Sequence, residues 1–386
     1  MPDDLPRALD VVQSLAIENG GTSATVPELA RATGQTGRYT NSLLHFTPQT
    51  GVITGENSSV RLLHRSCRNL EPMLPTRTRA FLREAVNQTD VLQVHGIWTG
   101  HSSASMDLAQ QCRKPFIVSA HGMLDGWALR HKRWKKLPYA ALFERPKISR
   151  ATCLRALTKV EAENYRAFGL MLPVAIIPNG IAAPDTVSAS EFFDLYPFLK
   201  GKKILLFLGR LHKKKGVHLL VKAWNIVSSQ IPDAQLVLAG PDDGALDAAV
   251  TTESSITKCG MLTGSLKWSA LAAAAGFVLP SFSEGLSMAT LDALWMRLPV
   301  LITRECNFRE IEKLECTFLI RPTVSSIADG LISLLSRPAN ELRARGELGS
   351  TFVRANHAWP LIGQKMADIY DWMRGGPQPS SVEIIQ

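Results

Sequence analysis

The chain alternates short apolar runs with amphipathic segments, the pattern of buried parallel strands separated by helices. In the first half the runs are Ala8 to Leu15 (ALDVVQSL), Asp90 to Val94 (DVLQV), Pro115 to Ala120 (PFIVSA), Leu154 to Leu157 and Val174 to Ile177. A Gly-rich turn from Glu18 to Ser23 leads into a helix with Val26, Leu29 and Ala32 on its apolar face. A second helix, carrying Glu161, Glu163 and Arg166, joins the last two strands. Pro178 and Gly180 punctuate the end of this half, and Ala183 to Ser190 (APDTVSAS) reads as a linker.

The alternation then restarts. Lys203 to Leu208 (KILLFL) and Gln235 to Gly240 (QLVLAG) are continuous apolar strands, and the first runs into Gly209-Arg210-Leu211-His212-Lys213-Lys214-Lys215-Gly216 and a helix through Leu219, Leu220 and Trp224. A helix opening at Gly264 with Lys267 and Trp268 precedes the most informative stretch, LPSFSEGLSMATLDALWMRLPV from Leu279 to Val300. That stretch reads as the end of a strand at Phe277 to Leu279, a polar loop with Glu284-Gly285, a helix from about Ser287, and a new strand at Pro299-Val300. Beyond Ile302 come a short turn at Phe308 to Ile311, a strand near Phe318 to Ile320 and three helical segments, the last around Trp359 to Met373. Residues 375–386, with Pro377 and Pro379 and little apolar mass, are expected to be disordered.

A chain of 386 residues exceeds one core and fits two domains. The expected division is 1–182, completed by the helix at 359–374, and 183–358. With 45% hydrophobic and 20% charged residues the composition is that of a soluble globular protein. The longest apolar run, Ala270 to Leu279, is too short to cross a bilayer, for which about 20 residues are needed. Asp3 and Asp4 open the chain with no apolar segment behind a basic one, so no signal peptide is expected and the protein should stay in the cytoplasm. The six cysteines form no C-x-x-C pair, which gives no indication of a zinc site or a disulfide framework.

The net charge of +9 changes the picture, because the cations are bunched. Between Arg130 and Arg150 (RHKRWKKLPYAALFERPKISR) they interleave with Trp134, Tyr139 and Phe143, just after Trp127, a composition suited to an anionic membrane surface. Nucleic acid is a competing partner for basic and aromatic residues, but no nucleic-acid motif supports it. A solvated helix face is the plain alternative.

Candidate chemistry sits at the strand ends. At the Glu284 loop, Gly285 lets the backbone approach a ligand, and the N–H groups of Leu286, Ser287 and Met288 at a helix N-terminus favour an anion such as phosphate. Glu284 and Asp292 would repel that phosphate, so their natural partners are the hydroxyls of a sugar or ribose. Arg210 and Lys215 supply a planar fork and a point charge suited to a diphosphate. His-Gly pairs follow two of the first-half strands. His95 reads more readily as a satisfied core residue. Gly20-Gly21 lacks dinucleotide-binding spacing, and no G-x-x-x-x-G-K-[ST] occurs.

These segments resemble the retaining glycosyltransferases of family 4, the group 1 enzymes of surface polysaccharide biosynthesis. Their acidic-pair motif is Glu-Gly, seven residues between two Glu, then Gly-x-Pro-Val. Here the second acid is Asp292, shorter than Glu by one C–C bond, roughly 1.5 Å, and Arg297 replaces the helix-ending Gly. Ala275 replaces a usual acidic residue, which puts the base pocket in question. The resemblance is strongest from His121 to Val300. It implies the GT-B architecture, two doubly wound Rossmann-like α/β domains facing a cleft. His121 would be the active-site histidine that approaches the transferred sugar, Glu284 would hold a sugar hydroxyl, and Arg210 and Lys215 would bind the donor phosphates. Asp292 would contact the nucleotide, and a loop at Gly20 and Gly21 would face acceptor and phosphates.

The implied function is retaining, metal-independent transfer of a sugar from a UDP- or GDP-sugar to a saccharide acceptor, expected to be lipid-linked, at the inner face of the membrane, with no cofactor. No D-x-D triplet offers a metal-bridged diphosphate site. The alternatives are a nucleotide-sugar epimerase or hydrolase of the same fold, and a non-catalytic nucleotide-sugar-binding module.

Overall fold

The computed structural model describes residues 5–16, 21–46, 60–65, 74–126, 138–184, 186–245 and 255–386. It divides into two compact units, 1–180 with 357–386, and 181–356.

The first unit contains β1 (Arg7–Val12), α1 (Gly21–Gly34), β2 (Thr40–His45), β3 (Val60–His64), α2 (Thr76–Asn87), β4 (Val91–His95), α3 (Gly100–Gln111) and β5 (Phe116–Ser119). A π-helical turn at Ala140–Glu144 leads into α4 (Arg145–Ile148), followed by β6 (Cys153–Ala156), α5 (Lys159–Ala167) and β7 (Val174–Ile176). The sheet order is β3-β2-β1-β4-β5-β6-β7, all parallel, so the winding reverses between β1 and β4. Strands β4, β5 and β6 are buried along their whole length, which is why they read as near-continuous apolar runs.

The second unit repeats this plan with α6 (Ser190–Leu195), β8 (Lys203–Leu208), α7 (Val217–Val227), β9 (Ala234–Ala239), β10 (Ile256–Gly260), α8 (Gly264–Ala273), β11 (Gly276–Leu279), α9 (Met288–Trp295), β12 (Val300–Thr303), β13 (Thr317–Ile320), α10 (Val324–Leu335) and α11 (Ala339–His357). Its parallel order, β10-β9-β8-β11-β12-β13, reverses between β8 and β11. Both units are thus doubly wound, and in such sheets ligands bind outside the strand carboxyl ends at the reversal.

The chain then returns to the first unit as α12 (Trp359–Met373). This helix buries Ile362, Met366, Ala367 and Tyr370 in one cluster with Leu29 and Ala32 of α1, each large aliphatic side chain contributing about 1.5–3 kcal/mol. Gly363 permits the close crossing, since a Cβ there would stand 2.3 Å from the Ala32 carbonyl oxygen. The packing is pinned by Arg38, which pairs with Asp368 and Asp371, and by Tyr39, whose hydroxyl donates to Asp371 at 2.6 Å.

Residues 375–386 correct the expectation of a disordered tail. They carry β14 (Glu383–Ile385), which adds antiparallel to the exposed edge of β7, with Val382 buried beside it. Strand addition satisfies backbone groups and needs little apolar mass. No helix among the described residues is long and apolar enough to cross a membrane.

Candidate active site

In the first unit the reversal point gathers Asp10 from β1, His95 from β4 and His121 just beyond β5. His95 Nε2 lies 2.8 Å from Asp10 Oδ1, and His95 Nδ1 lies 3.0 Å from His121 Nε2. Burial holds both histidines well below the usual imidazole range and raises Asp10 to about 7. His121 adopts φ 53°, a left-handed conformation costly for a residue with a Cβ. Hydrogen bonds on either side hold it there. The Ala120 N–H donates to the Tyr165 hydroxyl at 3.0 Å, and the Gly122 N–H donates to Glu161 Oε1 at 2.6 Å.

Beside this chain lies a cavity of about 200 Å³, lined in part by Gln13, Ser14, Thr22, His95, Thr99 and His101. It is smaller than the ~300–1,000 Å³ of drug-sized sites, a volume suited to one small polar ring. Gly21 is the first residue of α1 at the same end of the sheet. Gly20 lies outside the described residues, as do residues 127–137 of the basic segment.

In the second unit the loop after β8 and the loop after β11 are stitched together. The Phe282 N–H and the Ser281 hydroxyl both donate to the Lys214 carbonyl, at 2.8 and 3.1 Å. Gly216, at φ 70°, makes this possible, because a Cβ there would meet the Pro280 carbonyl oxygen at 2.0 Å. Lys215 is thereby aimed at Glu284, with Nζ 2.6 and 2.8 Å from the two carboxylate oxygens. The Glu284 backbone is fixed in turn, its N–H donating to Glu305 at 2.9 Å and its carbonyl accepting from Asn307 Nδ2 at 2.5 Å.

One turn into α9, buried Asp292 accepts from Lys267 Nζ at 3.0 Å. Burial raises the Asp292 carboxyl above its ordinary range and Lys267 opposes that rise. Ser287 caps α9 through its side chain, which accepts from the Thr290 N–H at 3.2 Å, and Leu286 and Ser287 are both buried at this junction with half-buried Gly285. Arg210 is exposed, 3.9 Å from Asp243. The unit therefore presents cations and acceptor carboxylates together at the end of β8 and the start of α9.

A glycosyl transferase 4-like domain profile matches residues 20–180, and a profile of the glycosyl transferases of group 1 matches residues 202–337. The chain belongs to the group 1 glycosyltransferases.

This glycosyltransferase is 25% identical over 325 residues to a GDP-mannose-dependent monoacylated alpha-(1-6)-phosphatidylinositol monomannoside mannosyltransferase of Corynebacterium glutamicum, covering 77% of this chain and 81% of that one. It is 24% identical over 217 residues to TuaC of Bacillus subtilis, a putative teichuronic acid biosynthesis glycosyltransferase, covering 55% and 53%. Among solved structures, sucrose-phosphate synthase of Thermosynechococcus elongatus matches with TM-score 0.75 at 16% identity over 95% of this chain and 99% of that one. Anabaena HepE, solved with UDP and glucose, matches with TM-score 0.73 at 15% identity over 95% and 100%. The fold is GT-B, and the glycosyltransferase is of the kind that uses nucleotide-sugar donors.

Several sequence readings of the glycosyltransferase change or are extended. His95 is the satisfied core residue expected, and its two ring nitrogens also join Asp10 to His121. Lys267, read only as part of a helix start, holds Asp292. Ala275 lies at the amino end of β11, the opposite end from Glu284, so its substitution does not reshape the site at that strand's carboxyl end. Arg297 has φ 61° immediately after α9, the left-handed position that the family's Gly occupies without strain. In the described part of the basic segment, Lys147 is bound by Asp107 at 2.7 Å and Arg150 donates to Gln110 at 2.7 Å.

Proposed function

We propose that this glycosyltransferase transfers a sugar, with retention of configuration, from a UDP- or GDP-sugar to a saccharide acceptor carried on a lipid. The carrying observation is Lys215 held on Glu284 beside the amino end of α9. A diphosphate arriving there meets Lys215, Arg210 and the backbone at Gly285, Leu286 and Ser287, which neutralise the leaving group without a metal cofactor. As Lys215 turns to phosphate, Glu284 is freed to accept from a sugar hydroxyl. Asp292 and Lys267 flank the nucleotide, with Asp292 taking a ribose hydroxyl directly or through water.

The first unit supplies the acceptor side. The cavity, lined by polar side chains together with Val12, Ile97 and Met123, takes one acceptor sugar ring, Gly20 and Gly21 border the acceptor and donor phosphates, and neutral His121 steadies the transferred sugar near its reacting carbon. Retention follows from front-face substitution, in which the leaving phosphate oxygen accepts the proton of the acceptor hydroxyl. The curated relatives support the acceptor class, since one is named for a phosphatidylinositol mannoside and another for teichuronic acid.

The protein works peripherally, at the inner, cytoplasmic face of a membrane with an anionic surface. Supporting this, Leu142 and Phe143, beside the basic run, are 70% and 53% exposed.

The test is a screen of nucleotide-sugar donors against membrane lipid extract, with product masses and anomeric couplings read out. A glycolipid product with the donor's anomeric configuration is expected. Inversion would overturn the mechanism, and free sugar released without acceptor would favour a hydrolase.

A further inference from the structure

Asp10, His95 and His121 form a single hydrogen-bonded chain whose links, 2.8 and 3.0 Å, each have room for one hydrogen. Asp10 and His95 are 1% and 2% exposed, which shields these two links from bulk solvent. A neutral imidazole donates from one nitrogen and accepts at the other, which leaves two arrangements. In one, the Asp10 carboxylate accepts from His95 Nε2–H, bare His95 Nδ1 accepts from His121 Nε2–H, and His121 Nδ1 is left as an acceptor. In the other, protonated Asp10 donates to His95 Nε2, His95 Nδ1–H donates to His121 Nε2, and His121 Nδ1–H is left as a donor.

We propose that Asp10 and His95 are positioning residues for sugar transfer, selecting which ring nitrogen of His121 carries the proton and hence whether His121 meets a sugar hydroxyl as acceptor or donor. The proposal rests on the reading that His121 contacts the transferred sugar. A role in packing alone does not account for the arrangement. Burying a carboxyl in a sheet is costly unless it is bonded, and an apolar residue would fill the same space. His121 is also restrained twice, by Tyr165 and Glu161 through its backbone neighbours and by His95 through its ring.

The groups around the chain keep both histidines neutral and leave Asp10 as the switch. Asn41 of β2, His95 of β4, Arg155 of β6 and Tyr370 of α12 surround Asp10. Arg155 is buried and donates to the Ile177 and Pro178 carbonyls and to Asn179, and its charge disfavours protonation of either histidine. Asp10, raised by burial to about 7, changes state near neutral pH, so the polarity of the whole chain inverts there.

The experiment uses the full chain labelled with ¹⁵N-histidine, with the His121 signals assigned by their loss in His121→Ala. In the wild type the His121 tautomer should change between pH 6 and 8. In Asp10→Asn it should be the same at both. Because Asn fixes one tautomer, Asp10→Asn should lower kcat at least ~10-fold at either pH 6 or pH 8, and His95→Gln at both, with donor KM within about twofold, the pattern of an interaction made in the transition state, and circular dichroism checks that both fold. Wild-type kcat in folded Asp10→Asn at both pH values, or a His121 tautomer that does not respond to Asp10, would overturn the proposal. Full kcat in His121→Ala would instead overturn the sugar-contacting role on which it rests.

Discussion

Lys215 Nζ is shared by both carboxylate oxygens of Glu284, at 2.6 and 2.8 Å, and the two residues are 69 positions apart in the chain. The pair neutralises each partner before any donor arrives, so the resting site carries neither a repelling carboxylate nor an unbalanced ammonium.

Removing one partner exposes the other. Lys215→Ala should raise donor KM and lower kcat/KM by about 10- to 150-fold, the equivalent of one charge-assisted bond of about 1.5–3 kcal/mol. Glu284→Gln should lower kcat while Lys215 still binds phosphate. Arg210→Ala should weaken donor binding with no change in Tm, because Arg210 is exposed and its ion pair among the described residues, with Asp243, is long at 3.9 Å. Steady-state kinetics at limiting donor check this, and wild-type values for both cation variants would refute the phosphate assignment.

Asp292 and Lys267 should behave as a unit. Asp292→Ala leaves Lys267 without its carboxylate and should raise donor KM more than it lowers kcat, the mark of lost uniform binding. Asp292→Glu should be tolerated. In a double-mutant cycle with Lys267→Met, donor binding energies should be non-additive. Additive effects would mean that the 3.0 Å pair plays no part in binding.

Arg297→Gly should stabilise the protein. A left-handed non-glycine residue costs about 1–2 kcal/mol, of which glycine's extra unfolded freedom returns about 0.4–1 kcal/mol. The exposed pair with Glu347 that is lost contributes little. A net gain of up to about 1 kcal/mol in urea unfolding is expected, with unchanged kcat.

Acid should destabilise the first unit in a defined window. Burial lowers His101 and His357 to about 4. A histidine with a depressed folded value contributes its full stability above its unfolded value of about 6.5, and loses it as pH falls toward 4. Their contribution to the urea midpoint should therefore fall between pH 6.5 and 4, partly offset by Asp10, whose raised value of about 7 adds stability over the same range. His357→Gln, placed against the Asn179 carbonyl, should flatten that fall, and an unchanged slope would contradict it.

Membrane binding is checked with liposomes. Co-sedimentation should need anionic lipid, weaken with salt, and drop when Lys132, Arg133, Lys135 and Lys136 become Gln, since each cation near such a surface contributes about 1 kcal/mol. Changing Leu142 and Phe143 to Ser should also weaken it. Equal binding to neutral and anionic vesicles would sink the membrane reading and leave the transferase standing.

The central strands were legible from sequence because a strand buried on both faces has to be apolar throughout, as in KILLFL, and Glu284, Gly285 and Asp292 could be singled out together because they lie within one short local segment. The edge strands β3, β10 and β14 were not. They are short and only partly buried, and part of their pairing energy comes from backbone groups that leave no trace in residue type. Thr40–His45 was hidden for a related reason, since buried Asn41 and His45 break its apolar run. Local pattern carries information over a few residues. Only the tertiary structure could bring Asp10, His95 and His121 into one chain across 85 and 26 positions, or set Lys267 on Asp292, because those partnerships depend on which strands become neighbours when the winding reverses.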